Sequence, residues 1–244
     1  MKALIQYISI FFFLGIFFTS CFNPEDYVTP DDDIIRFRNG EDTIKITANG
    51  IDTAVIKAQI SNEAALSRRR VTFKTNLGSF VGGKGDSIVV EADNAFKASA
   101  SLTSVKTGTA NVTAKIMGIK TQNTVKVAFA PAYPTKITVA VDSFAIANNF
   151  RSEVVITASL SAPEGAKPSE GYSVEFFLKD AGGNDIGAFL NNDNTSSTGT
   201  DGKAKIRYSA GEVDQEGYLT ITATTKDING NNISGTTRIF LSKQ

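Results

Sequence analysis

A pattern of alternating apolar and polar residues occurs twice along this chain, and it restricts the fold more than any other feature of the sequence. In the segment 53–60 every even-numbered residue is apolar, which places the apolar side chains on one face of an extended strand. One hundred positions later the segment 154–160 repeats the alternation. A period of two residues is typical of half-buried strands rather than helices. The sequence therefore predicts β-structure in two similar units.

The remaining strands of the repeat follow in the same order in both copies. Insertions fall between the matched segments, and turn-forming residues recur about every 8–12 positions, as they do in antiparallel sandwiches. We therefore predict an all-β chain with two tandem β-sandwich domains. The further matched pairs are 71–74 with 174–177, 95–103 with 203–209, 108–114 with 217–223 and 124–129 with 236–241.

The length of 244 residues suits two domains of about 100 residues each. The predicted organisation is a signal peptide at 1–20, a flexible tether at 21–40, a first domain at 41–130, a linker at 131–134 and a second domain at 135–244. The tether is polar and lacks periodicity, so it is not expected to bury a core. Pro131 and Pro134 stiffen the linker, which favours a semi-extended rod.

The first twenty residues have the features of a secretory leader. Lys2 places a positive charge at the N-terminal end of the leader. The apolar run 4–18 is shorter than the roughly 20 residues that a membrane-spanning helix needs. Cys21, the only cysteine of the chain, follows directly and has no partner for an intramolecular disulfide. Acylation of its thiol explains both its position and its isolation. A free thiol and an uncleaved anchor are the alternatives.

The sequence around this cysteine, Phe18-Thr19-Ser20-Cys21, resembles the lipobox of bacterial lipoproteins, with Phe18 in place of the commoner leucine. Phenylalanine-rich leaders and relaxed lipoboxes are familiar in lipoproteins of the Bacteroidetes type. The acidic residues Asp31–Asp33 resemble the surface-export signals of those proteins; a solvated linker and a cation site are the other interpretations. The resemblance implies a palmitate-bearing lipoprotein of the outer membrane, exposed at the cell surface.

Composition excludes several classes of function. The chain has no histidine, so it has no histidine-based catalytic triad and no histidine-ligated zinc site. We predict that the protein is not an enzyme and carries no cofactor or metal; a hydrolase based on two carboxylates is the remaining enzymatic alternative. Basic and acidic residues number 25 each, which argues against a nucleic-acid partner. Arg68–Arg70 is read as a solvated edge between a loop and a strand.

The order of short motifs over both copies resembles the bacterial immunoglobulin-like (Ig-like) domains of the invasin and intimin type. In the second copy Asp201-Gly202 is similar to the family's Asp-Gly turn, which enters the strand before the one that begins with glycine. The second copy departs from the family's pattern at 164–172 and 184–200. The resemblance implies Ig-like β-sandwiches that serve as stalks or adhesive modules. It is carried in the first copy by 48–50, 53–60, 71–73, 78–80, 101–104 and 108–114.

Three polar or glycine-rich segments look like ligand loops but are better explained as turns. Asp227–Asn232 lacks the glycine and glutamate positions of a calcium-binding EF-hand loop, and Asn229-Gly230 predicts a hairpin turn with both residues at positive φ. Asp180–Asp185 predicts a second turn. Gly82–Gly85 is predicted to be a loop and not a phosphate cradle, because no helix follows it.

A glycan site is the main competing function. Sugar platforms use exposed aromatic faces, and the chain has no tryptophan. Tyr133, Tyr172, Tyr208 and Tyr218 are available. Tyr133 lies in the linker and Tyr208 is predicted to point inward, and Tyr172 and Phe177 are predicted to be the better exposed candidate ligand-binding residues. Phe177 could equally be an interdomain or partner contact.

We therefore predict a lipid-anchored envelope protein whose domains act as an adhesive or structural spacer module. Its expected partners are the membrane, through the lipid, and an unidentified surface protein or glycan. Recognition is expected at strand edges and at the loops that end each sandwich. The alternative is a glycan-binding accessory lipoprotein.

Overall fold

A computed structural model of the chain describes residues 31–39 and 43–243. The predicted signal peptide, Cys21 and most of the predicted tether lie outside the described residues. One α-helix of four residues, α1 (Asp31–Ile34), is present among them, and three short 3₁₀ turns are the only other helical segments described. All other regular structure is β-strand, so the predicted all-β chain of tandem sandwiches is confirmed.

The first sandwich has one sheet in the order β1-β3-β7-β5 and a facing sheet in the order β2-β10-β8-β4-β6, with β9 paired to β8. Its strands are β1 (Ile35–Phe37), β2 (Thr43–Thr47), β3 (Ala54–Ile60), β4 (Arg70–Thr75), β5 (Ser79–Phe80), β6 (Ser87–Glu91), β7 (Lys97–Thr103), β8 (Gly108–Ile116), β9 (Ile119–Lys120) and β10 (Val125–Ala130).

The second sandwich repeats this arrangement except for β9, which has no counterpart among its strands, with sheets ordered β11-β13-β17-β15 and β12-β19-β18-β14-β16. The correspondence predicted between the two copies is therefore confirmed. The strands are β11 (Lys136–Val141), β12 (Ala145–Ala147), β13 (Val154–Ser161), β14 (Ser173–Lys179), β15 (Ala188–Phe189), β16 (Thr195–Ser197), β17 (Lys203–Ser209), β18 (Gly217–Lys226) and β19 (Asn232–Ser242).

Each sandwich closes over its own core. Buried residues alternate with less buried ones along β3 and β13, as the sequence pattern requires. The first core is centred on Phe73 and the second on Phe176 and Tyr208, all fully buried. The two cores share no residue, so each domain buries its own apolar faces.

The first sandwich begins before the predicted start at residue 41. Ile35 is completely buried, and β1 pairs antiparallel with β3. Residues 35–37 therefore belong to the sandwich and not to the tether predicted over 21–40. The reason is that Ile35 and Phe37 alternate with Arg36 over only three residues, which is too short for a period to be recognised.

Each sandwich also contains a parallel strand pair that the expectation of purely antiparallel sheets missed. β2 runs parallel to β10, and β12 runs parallel to β19. In both domains the first strand (β1 or β11) lies in one sheet, and the second strand (β2 or β12) lies in the facing sheet beside the last strand. This pairing covers an edge that would otherwise expose unpaired backbone groups.

Candidate functional site

The polar turns predicted in the second domain are turns. The Asp227 carboxylate accepts hydrogen bonds from the backbone N–H groups of Asn229 and Asn231, each at 2.8 Å. Desolvation raises the pKa of this carboxyl, but those hydrogen bonds outweigh it and hold the pKa below its ordinary value. Only Gly230 has a positive φ, of 78°, so the predicted two-residue hairpin with Asn229 also at positive φ is replaced by a five-residue loop.

Asp180 caps a loop of the same design. Its carboxylate accepts a hydrogen bond from the backbone N–H of Asn184 at 2.9 Å. This bond, together with that from the Asn184 side chain, lowers the pKa of Asp180. In each loop one carboxylate oxygen is thus bound by backbone N–H groups, and the other accepts from an asparagine side-chain amide at 3.2 Å in the Asp180 loop and 3.4 Å in the Asp227 loop. Among the described residues no group of three or more carboxylate or thiol side chains is placed to hold a metal ion.

One buried serine makes contacts on both sides of the junction between the two sandwiches. Ser169 lies in the loop between β13 and β14 and is 2 % exposed. Its hydroxyl donates to the carbonyl of Ala48 in the first domain and accepts from the backbone N–H of Ala132 in the linker, both at 2.9 Å. Its own backbone N–H donates to the Ala132 carbonyl at 3.0 Å. One side chain therefore connects the first domain, the linker and the second domain.

Glu170 adds a second connection beside this serine. Its backbone N–H donates to the carbonyl of Val105 in the first domain at 2.8 Å. Its carboxylate Oε2 lies 3.5 Å from Lys106 Nζ, which is within ion-pair distance. The same oxygen is buried and accepts no hydrogen bond. This partly exposed ion pair contributes little to stability. The hydrogen bond from the Glu170 backbone N–H to the Val105 carbonyl is the stronger contact.

Tyr172, a predicted ligand-binding residue, lies in the same junction. Its ring packs against that of Tyr133 with centroids 5.9 Å apart and planes tilted by 58°. Burial, and secondarily the neighbouring Tyr133, raise the pKa of Tyr172 to about 12. The side chain is half-buried, so Tyr172 is less accessible than the sequence suggested and contacts the linker.

A groove of about 520 Å³ lies along this junction. The loop after β2 forms one wall, and the linker and the loops of the second domain form the others. Ile51 and Ile228 contribute exposed apolar side chains, 63 % and 67 % exposed. The charged side chains that line it are Asp52 and Glu164.

Phe177, the other predicted ligand-binding residue, lies on the outer face of the sheet that contains β14, β18 and β19. It is directly opposite Thr222, and its side chain is partly buried. Further along the same face Tyr218 is opposite Phe240, and their rings meet edge to face with centroids 5.2 Å apart. Tyr218 is 61 % exposed, so this pair is the more accessible aromatic surface.

Neither Ser169 nor the Tyr218–Phe240 pair was predicted from the sequence. Nothing in the sequence distinguishes Ser169 from other loop serines, although it lies inside the segment 164–172, where the second copy departs from the first. Tyr218 and Phe240 carried a usable signal, because both hold outward positions of their strands. Their pairing depends on the register of β18 with β19, which the sequence does not specify.

Comparison with known proteins supports the fold. No protein-family model matches the chain, and no curated protein is significantly similar to it. Among solved structures, that of invasin, described as a bacterial integrin-binding protein, has a TM-score of 0.50 and 17% identity over 86% of this chain and 39% of its own. A match over 86% of this chain is longer than either sandwich alone and so extends into both, and the chain has the tandem Ig-like fold.

Two further solved structures match at lower TM-scores. The adhesin InvE of Yersinia pseudotuberculosis has a TM-score of 0.48 and 16% identity over 87% of this chain and 59% of its own. The D0–D1 domain of intimin has a TM-score of 0.33 and 19% identity over 84% of this chain and 97% of its own. This chain thus spans less than two thirds of the InvE structure, at 59%, and 39% of the invasin structure. No helix within residues 31–39 and 43–243 is long and apolar enough to cross a bilayer.

Proposed function

We propose that this chain is a lipid-anchored protein of the cell envelope, attached through Cys21, whose two Ig-like domains form a stiff spacer with an adhesive role at the cell surface. The Ser169 junction carries this proposal. A spacer holds its far end at a fixed distance from its anchor only if the relative orientation of its domains is fixed. Domains that share few and exposed contacts usually move relative to one another. Here the connecting hydrogen bonds are buried.

The position of Cys21 supports the anchor. It follows an apolar leader of about fifteen residues, which fits the core of a signal peptide, and lies ten positions before α1. A single acyl chain gives only marginal membrane binding, so a lipoprotein of this kind needs more than one chain or a second contact with the bilayer.

Metabolic labelling with a fatty-acid analogue tests the anchor. We expect label on the wild-type protein and none on Cys21→Ser, because the only thiol of the chain is removed. Ser20→Ala is the matched control, since it changes a neighbouring small residue and keeps the thiol. Equal labelling of wild type and Cys21→Ser would rule out this anchor.

Protease treatment of intact cells tests surface display. An exposed protein is degraded before the cells are permeabilised, whereas a protein facing the periplasm survives until the outer membrane is opened. Survival of the wild type alongside a cleaved surface marker would contradict display while leaving the anchor intact.

Glycan binding is a second candidate function, favoured by the aromatic residues on one outer sheet face. Tyr218, Phe240 and Phe177 lie on this face together with threonines, and aromatic faces flanked by hydroxyl groups suit stacking on sugar rings. Glycan arrays with Phe177→Ala and Tyr218→Ala test it. Phe150→Ala, an exposed phenylalanine (71 %) on a loop, is the control. Tyr172→Ala is less informative because it also alters the junction. Sugar binding lost in the face variants alone would favour this function over adhesion to protein.

A further inference from the structure

The groove along the junction has no role in the spacer proposed above. The loop after β2 forms its wall on the first domain, and the linker and two loops of the second domain enclose the rest. Glu164 comes from the loop between β13 and β14, and Ile228 comes from the loop between β18 and β19. The volume of about 520 Å³ is in the range of about 300–1000 Å³ that is usual for ligand pockets.

Small buried residues form the floor of this groove. Ala132, Ala162 and Ala166 line it, and all three are buried. Ser169 binds both backbone groups of Ala132, since its hydroxyl accepts from the N–H at 2.9 Å and its own N–H donates to the carbonyl at 3.0 Å. The floor of the groove therefore depends on the same hydrogen bonds as the docked junction.

The wall on the first domain combines an exposed isoleucine with a carboxylate. Ile51 and Asp52 are consecutive residues, and both line the groove. The side-chain oxygen of Asn49 accepts hydrogen bonds from their backbone N–H groups, at 2.9 Å and 2.8 Å. An asparagine that binds the backbone of its own loop favours one loop conformation. The positions of Ile51 and Asp52 at the groove are therefore fixed before any ligand binds.

The second domain supplies the same two kinds of side chain. Ile228 lies in the loop after β18, and Glu164 lies in a turn that the Ala166 N–H closes by donating to the Pro163 carbonyl at 3.1 Å. Glu164 has a φ of 59°, a left-handed conformation that is strained for a residue with a side chain. Strained residues of this kind are enriched at functional sites. Each domain thus contributes one isoleucine and one carboxylate.

The charged side chains that line the groove are both acidic. Asp52 and Glu164 form no ion pair with any residue in the described part of the chain. The loops and linker that form the groove are described throughout. Lys136 and Lys167 each follow a lining residue in sequence but do not line the groove themselves. Unpaired carboxylates beside apolar walls favour a ligand that is both positively charged and apolar.

An extended peptide can present both kinds of group to this groove. Successive side chains of an extended backbone point to opposite sides, so apolar residues at alternate positions enter the groove together, between Ile51 and Ile228. The lysine or arginine residues between them point away from the floor. Their long side chains can lie along apolar surface while the charged ends reach the carboxylates of Asp52 and Glu164.

We propose that the junction groove binds an extended segment of a partner protein in which apolar residues alternate with lysine or arginine. This segment contacts both domains at once and supplies the adhesive role with a site. The inference rests on the fixed junction proposed above and is independent of the lipid anchor. Because the groove is complete only when the domains are docked, an occupied groove also stabilises the docked arrangement.

Fluorescence anisotropy with labelled synthetic peptides tests the proposal. The full-length protein is held in phosphatidylcholine nanodiscs, and empty nanodiscs are the blank. The probe is the peptide Lys-Leu-Lys-Phe-Lys. Glu-Leu-Glu-Phe-Glu reverses its charge, and Lys-Gly-Lys-Gly-Lys keeps the charge without the apolar side chains. We expect saturable binding of the first peptide alone, weakened by added salt because exposed ion pairs are screened.

Substitutions in the two walls test whether both domains take part. Ile51→Ser and Ile228→Ser should each weaken binding of the probe by about tenfold, because each removes apolar area that the peptide buries. Val81→Ser is the matched control. Val81 is an exposed apolar residue of the first domain that does not line the groove, and its substitution should leave the affinity unchanged.

Substitutions of the carboxylates test the charge complementarity. Asp52→Asn and Glu164→Gln should each weaken binding by up to about fivefold, the effect of losing one partly exposed ion pair. Each should also reduce the dependence of binding on salt. Glu212→Gln is the control, since it removes an exposed carboxylate of the second domain that does not line the groove.

Equal binding of either comparison peptide overturns the proposal. Binding that depends on only one of Ile51 and Ile228 also overturns it, because the ligand then lies on a single domain. Failure of the junction is recognised separately, from a broad distribution of spin-label distances between the domains of the unsubstituted protein. A narrow distribution without binding of the probe overturns this inference and leaves the stiff spacer intact.

Discussion

Replacing Ser169 with alanine removes the side chain that joins the two domains. The hydroxyl makes two buried hydrogen bonds of 2.9 Å, one to the Ala48 carbonyl and one from the Ala132 N–H. Both groups lose that partner, and a buried polar group without a partner costs about 1–3 kcal/mol. We expect the docked junction to weaken by about 2–4 kcal/mol in total, which lowers the ratio of docked to undocked forms by at least about 30-fold.

The weakening should appear as motion between domains and not as unfolding, because Ser169 belongs to neither core. Distances between spin labels at Val89→Cys and Lys205→Cys, measured by pulsed electron paramagnetic resonance in a Cys21→Ser background, report it. Both label positions are exposed, and they lie in different domains. We expect a narrow distance distribution in the parent and a broad one in Ser169→Ala, with near-native urea midpoints for both domains.

Ser197→Ala is the control for this substitution, since it removes a hydroxyl from an exposed position in the same domain. Its distance distribution should match that of the parent. If Ser169→Ala also keeps the narrow distribution, the hydrogen bonds of Ser169 do not hold the junction and the argument for a stiff spacer fails.

Three further predictions concern the second domain and the junction. A Cβ at Gly235 would lie 2.7 Å from the Ile137 backbone oxygen, so Gly235→Ala should destabilise the second domain by about 1–3 kcal/mol in urea unfolding. The Tyr208 hydroxyl donates to the Ile186 carbonyl at 2.7 Å, so Tyr208→Phe should cost about 1 kcal/mol in the same assay. Folding raises the pKa of Tyr172 to about 12, from about 10 in the unfolded chain. The stability that the neutral Tyr172 hydroxyl contributes is therefore complete below about pH 10 and is lost as the pH rises through about 12. The phenolate absorbance of the parent minus that of Tyr172→Phe should show this late titration.

Each of these predictions has a contrary result. Ser234→Ala, at the neighbouring exposed position, is the control for Gly235→Ala, and equal midpoints for the two variants would show that β19 can move away from β11. An unchanged urea midpoint in Tyr208→Phe would mean that water replaces the lost hydrogen bond. A titration of Tyr172 near pH 10 would show that its ring is solvated.

Alternation and repetition in the sequence were sufficient to predict the architecture. Strands that each have one apolar face bury those faces when two sheets pack together, and the segments recur in the same order in both copies. The observed strand orders of the two domains agree at every position except for β9, which lies outside the shared order. The inward position of Tyr208 followed from the same argument and is confirmed by its 1 % exposure.

Features that depend on spatial neighbours were not predictable in this way. Ile35 joins the first core from a strand of three residues, too short to show a period. The Asn229-Gly230 pair indicated a two-residue hairpin, but the Asp227 carboxylate binds the loop backbone and favours a longer turn. Local side-chain hydrogen bonds of this kind compete with simple turn rules.

The candidate site was only partly accessible from sequence. Tyr172 and Phe177 were chosen as aromatic residues outside the predicted cores, and both are partly buried. Tyr172 faces Tyr133 because the loop after β13 folds against the linker, and that loop differs between the two copies. Its role in the junction could not be read from the repeat, since the first copy has no counterpart to Ser169.

Residual dipolar couplings of the two-domain protein test the stiff-spacer claim most directly. Amide couplings from both sandwiches, measured in one weakly aligning medium, should fit a single alignment tensor, because a rigid junction makes the domains tumble as one body. Two tensors of clearly different magnitude, one for each sandwich, would show that the domains move independently and would contradict the claim.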